Sequence, residues 1–180
     1  MKLFRKHLHP ETIGSMVYEL LRSEMERNGD LSFVSLLDSL DLQQETLHSQ
    51  YRGDIIVGLM FGAVMAIERS TGTTTAQQII SGMKNDFLAH LEEQGASVLQ
   101  RAEWEATVAG SFLLYRQALE DYSGFEPPWK VGRQFYWNLI GREQHVAMSV
   151  KISTLYLVAA QEKVQALLNE HGPMILTTRG

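Results

Sequence analysis

The chain has 180 residues, 44% of them hydrophobic and 21% charged, with a formal net charge of −5 and no cysteine. That length suffices for one domain burying around 70% of its unfolded surface, and the acidic balance argues against nucleic acid as a partner, because phosphate binding needs a concentrated basic face. Without cysteine there are no disulfides, thiol nucleophiles or cysteine-based zinc and iron–sulfur sites.

Lys2, Arg5, Lys6, His7 and His9 form a basic N-terminal arm over residues 1–9. No apolar h-region follows it, so the expected location is cytoplasmic. Pro10 suits the first position of a helix. Ile13, Val17, Leu20, Leu21 and Met25 then share one face until Asn28 and Gly29 close it. Phe33, Leu36, Leu37 and Leu40 predict a second, short helix. Asp41 with Gln44 resembles a capping pair that opens a third, over 43–70.

This third helix contains the most apolar run of the chain, thirteen uncharged residues between Asp54 and Glu68. A membrane span needs roughly 20 apolar residues, so no stable span is expected. A buried strand is usually about 4–8 residues long, so the run is predicted to be a central helix, apolar all round. Gly58, Gly62 and Ala66 recur in it every four residues and share one face. A helical glycine costs about 0.8–1 kcal/mol against alanine, which implies a close neighbour. Ala102, Ala106 and Gly110 repeat that spacing. The two small faces are predicted to meet, backbone near backbone, within one chain or across the axis of a homodimer.

Residues 70–75 read as a loop, with Thr74 and Gln77 as a capping box. Ile80, Met83, Phe87 and Leu91 mark the inner face of the next helix, which ends at Gly95. Ser97 and Gln100 cap another, whose core stripe is Trp104, Val108, Phe112, Tyr115, Leu119 and Tyr122. Residues 124–130, with Pro127 and Pro128, are predicted to be extended in polyproline II geometry. As one helix, 132–171 would be roughly 60 Å long, against about 40 Å for a compact domain of this size. It therefore either breaks near Gly141 or protrudes toward a partner. Its part 146–160 should be the second central helix; Gly172 and Pro173 end it, and 174–180 form a mobile tail. The predicted fold is all-α, a single-domain bundle of six to seven helices with two central apolar helices.

Chemical motifs are sparse. A di-iron bundle needs two Glu-x-x-His pairs, and only Glu45 with His48 has that spacing. Glu143 and His145 are two apart, on nearly opposite helix faces. There is no Gly-x-Ser-x-Gly and no phosphate-cradling loop, so no catalytic residue, metal or cofactor is expected. The remaining candidates are Trp129, Arg133, Tyr136 and Trp137, with His145 further on. Aromatic residues beside arginine anchor interfaces and line ligand pockets; they also plug the ends of cores. The expected function is non-catalytic: a protein-interaction module that binds a protein partner or itself. The alternative is a bundle holding a small apolar ligand or a metal, with or without catalysis. A third reading is reversible membrane insertion of 55–67 and 146–160.

Overall fold

The computed structural model describes residues 8–27, 29–42, 48–121, 124, 126–143 and 146–171. Among these the chain forms seven α-helices and no β-strand: α1 (Pro10–Glu26), α2 (Phe33–Ser39), α3 (His48–Ser70), α4 (Thr73–Glu93), α5 (Val98–Glu120), α6 (Pro127–Ile140) and α7 (Ala147–His171). The fold is all-α, as the helical periodicities predict. Expectations placed on residues 1–7 of the basic arm, Asn28, Gln44, Glu45, Tyr122, His145, Gly172, Pro173 and the tail 174–180 fall outside the described residues.

Helix α3 is the axis of the bundle. Every residue from 55 to 67 is buried, which is what a helix without a polar face requires. Helices α1, α4, α5, α6 and α7 surround it. Its main partner is α7, the second central helix, which buries Val150, Tyr156, Leu157, Ala160, Val164 and Leu168. A Cβ on Gly62 would lie 3.4 Å from the Leu157 carbonyl oxygen, so at this point α3 lies almost against the α7 backbone. One residue before Leu157, Tyr156 donates a buried 2.7 Å hydrogen bond to the carbonyl of Leu31 and ties the loop before α2 to α7.

The closest crossing lies elsewhere, between α1 and α4. A Cβ on Gly14 would overlap the carbonyl oxygen of Ile79, and one on Gly82 would overlap the backbone of Glu11. The two glycines let these helices approach until their main chains touch, so neither position has room for any side chain.

Two local expectations are corrected. Pro127 and Pro128 are not an extended linker; they occupy the first turn of α6, where a fixed φ suits the helix and the absent N–H has no intrahelical role. The cap of α4 is Gly72, without a side-chain hydrogen bond, and Thr74 already lies inside the helix. Of the two alternatives for 132–171, the break near Gly141 is the one observed: Gly141 ends α6 in the left-handed region at φ 65°, so α7 folds back along α3 and does not protrude. The Ser97–Gln100 capping box is formed in full at the start of α5.

Candidate functional site

The aromatic group singled out in the sequence lies on α6, and its members diverge. Phe135 and Tyr136 are buried, with Phe135 stacked on Tyr156 at 6.2 Å between ring centroids. Trp129 and Trp137 are partly buried and pack against the core. The Arg133 guanidinium lies 4.8 Å from the centre of the Trp137 ring and forms a 2.6 Å ion pair with Asp121. Lys130 points its ammonium at the carbonyl oxygens of Leu119 and Asp121. These are carbonyls at the C-terminal end of α5, where a cation satisfies orphan acceptors and the helix dipole together. Arg133 and Lys130 thus bind α6 to the end of α5.

The two small-residue faces do not meet, which corrects the expected packing. Gly58 faces the ring of Phe135, and Gly62 faces α7; Ala66 is buried. Ala102, Ala106 and Gly110 are exposed, and a Cβ on Gly110 would meet nothing within 4 Å. Spacing assigned each set correctly to one helix face. It could not assign the partner, which depends on how the helices cross.

What that correction leaves on the surface is the most unusual feature of the molecule. On its inner side α5 buries Val108, Phe112, Tyr115 and Ala118, with Trp104 packed beside them. On the opposite side stand Leu99, Ala102, Ala106, Gly110 and Leu113, spaced three, four, four and three residues apart. At 3.6 residues per turn they lie within roughly 40° of one line. Leu99 is 69% exposed, Leu113 57%, and the neighbouring Val98 and Leu114 87% and 45%. Charged residues flank this strip: Arg101 pairs with Glu92 of α4, and Arg116 with Glu68 of α3 at 2.6 Å.

Two other places have chemical character. Under α5, the Tyr115 hydroxyl is buried beside Asn138 and near Asp54, and burial raises the tyrosine well above its usual range. Burial also pushes the Asp54 carboxyl up to about 6. Sequence reading treated Asp54 only as the end of the apolar run. Its position on the flank of a buried helix, with Gly58 one turn on, was the available signal. Secondly, a cleft of ≈ 350 Å³ is lined by Tyr18, Arg22, Arg52, His90 and Trp104, among others. The edge of the Trp104 ring fills the space where Gly53 lacks a side chain.

Among the described residues, no three His, Asp or Glu side chains gather into a metal-ligand set, and no helix is long and apolar enough to cross a membrane. The geometry defines an all-α bundle in which α5 turns an uncovered apolar face outward. Comparison of the chain with protein-family models, curated proteins and solved structures found no match.

Proposed function

We propose that the chain is a protein-interaction module whose contact surface is the outer face of α5. One observation carries this reading: α5 is apolar on two opposite sides, and the bundle covers only one of them. A surface helix of a monomer normally turns a polar side to water. Contiguous exposed apolar area on a soluble protein is typical of a binding site. The acidic net charge favours protein over nucleic acid as the partner. Helix α7 is packed within the bundle and presents no protruding arm.

A photo-crosslinking amino acid placed at Leu99 or Leu113 in the expressing cell tests this, with Glu162 on the exposed side of α7 as control. Discrete protein adducts are expected from the two α5 positions and should disappear when Ala106→Glu is added. Equal labelling from all three positions, or none, refutes the reading.

A second reading, binding of a small ligand, draws on the cleft beside Trp104, whose volume of ≈ 350 Å³ falls in the range of small-molecule sites. Native mass spectrometry of freshly purified protein tests it: a stoichiometric added mass, lost on Trp104→Ala, would favour a ligand. An unmodified mass under conditions that retain weak complexes would count against one.

A further inference from the structure

We infer that the partner of the α5 face is a second copy of this chain, docked antiparallel about a two-fold axis passing by Ala106. This rests on the reading of that face as a contact surface and specifies its occupant. The argument comes from the order of side chains along the strip. Four residues either side of Ala106 stand Ala102 and Gly110; seven either side, Leu99 and Leu113; eight either side, Val98 and Leu114. An interface between two identical copies must present one patch to itself, residue i meeting j while j meets i. Two antiparallel copies of α5 centred at Ala106 satisfy that requirement at every step. Leucine meets leucine at both ends, alanine meets glycine one turn from the centre, and alanine meets alanine at the axis.

Size grades along the strip in the same way. The small residues at 102, 106 and 110 allow two helices to approach to about 8 Å, and the exposed leucines and valine then close the seam at each end. Between Val98 and Leu114, Glu103 is the only charged residue near the outward line. The symmetry carries it to the opposite edge, against Ala109, so no like charges meet. Arg101 and Arg116 are held to Glu92 and Glu68 on their own chain. With the exposures above, the strip offers roughly 500–600 Å² per copy, or about 1,000–1,200 Å² for the pair, at the lower edge of specific interfaces. Association in the micromolar range is therefore expected.

The chain has no cysteine, so Ala106→Cys, Leu99→Cys and Leu113→Cys each place a single thiol at an exposed position. Purified full-length variants at ~100 μM, well above a micromolar dissociation constant, are treated with a bismaleimide that reaches about as far as two packed helices are apart, ~8–10 Å. Ala106→Cys should link to itself. Leu99→Cys alone and Leu113→Cys alone should not, since fourteen residues of helix hold their thiols ~21 Å apart, but an equimolar mixture of the two should link. Efficient self-linking of Leu99→Cys overturns the antiparallel order. Absence of any link overturns the pairing.

Ala106→Glu places two carboxylates at the axis without touching the core. Sedimentation should show its dissociation constant raised at least tenfold with helicity unchanged, and an unaltered constant overturns the proposal. If the thiols stay unlinked while the photo-probe at Leu99 captures a different protein, self-pairing fails and the interaction reading survives. If both experiments are blank, both fail.

Discussion

The same substitution, glycine to alanine, should have opposite effects at two helix-interior positions of this bundle. At Gly14 the added Cβ would overlap the Ile79 carbonyl oxygen and lie 2.5 Å from the Met83 nitrogen and 2.9 Å from the Gly82 carbonyl carbon. All three are main-chain atoms, which cannot rotate away, so α1 and α4 must separate by on the order of 1 Å along their crossing. Overpacking of this kind costs about 1–3 kcal/mol and occasionally more. Alanine returns about 0.8–1 kcal/mol of helix propensity, and the crossing is backbone on backbone, toward the costly end. The expected net loss is therefore about 1–2 kcal/mol. At Gly110 nothing lies within 4 Å of the new methyl, so the propensity gain stands alone, about 0.5–1 kcal/mol in the monomer. For a chain of this size each kcal/mol moves Tm by about 2–4 °C. Thermal and urea unfolding followed by circular dichroism, at protein concentrations low enough to hold the monomer, give both values. A Gly14→Ala variant as stable as the parent would refute the account of the α1–α4 crossing, and so would a Gly110→Ala variant that loses more than Gly14→Ala does.

Other consequences can be measured on the same apparatus. Burial raises Asp54 from 3.8 to about 6, so the folded state holds this proton more tightly than the unfolded one. Ionisation above about pH 6 then weighs against the fold, and the penalty is relieved as pH falls toward 4. Asp54→Asn should stabilise by about 1–2 kcal/mol at pH 7.5, allowing for partial solvent access. Its advantage should vanish near pH 3.5, and an advantage independent of pH would contradict the assignment. Ser153 is fully buried, and its hydroxyl has no hydrogen-bond partner among the described residues. Ser153→Ala should thus be neutral or stabilising by up to about 1 kcal/mol, and a larger loss would mean the hydroxyl is satisfied. Tyr156→Phe leaves the Leu31 carbonyl without its donor and should cost about 1–2 kcal/mol; unchanged urea midpoints would show that this bond contributes nothing net.

How legible was this in the sequence? The helices were, because each inner stripe repeats at helical spacing and every break except that between α2 and α3 carries glycine or proline. Gly141 could be named as the hinge between α6 and α7 because a 40-residue helix does not fit the domain. The proline pair misled for a physical reason: polyproline II and the first turn of a helix share φ near −65° and differ in ψ, which proline leaves open. Gly14 and Gly82 each stand alone in an amphipathic helix and carry no pattern, whereas Gly58 and Gly62 repeat at helical spacing. Yet Gly14 and Gly82 bring the α1 and α4 backbones into contact, and Gly132 lets α6 lie against the Thr154 backbone of α7. At the candidate aromatic site, residue type suggested an interface, but Lys130 and Arg133 were already committed to the end of α5. No linear signal links residues 119–121 to 130–133.

Helices α3 and α5 show why apolar pattern alone could not separate core from contact surface. Both carry apolar residues on opposite sides, and on that measure they look alike. In α3 thirteen consecutive residues lack any charge, so no edge of the helix can face water and neighbours must enclose it. In α5 the charges fall between the two apolar sides. Arg101 and Arg116 reach across to Glu92 on α4 and Glu68 on α3, and these exposed ion pairs contribute little stability in themselves. With the flanks held at the surface and the Val108–Phe112–Tyr115 side locked into the core, the Leu99–Ala106–Leu113 side has only one direction left, outward. Its exposure is therefore built into the bundle, and rotating α5 to hide it would take Phe112 and Tyr115 into water.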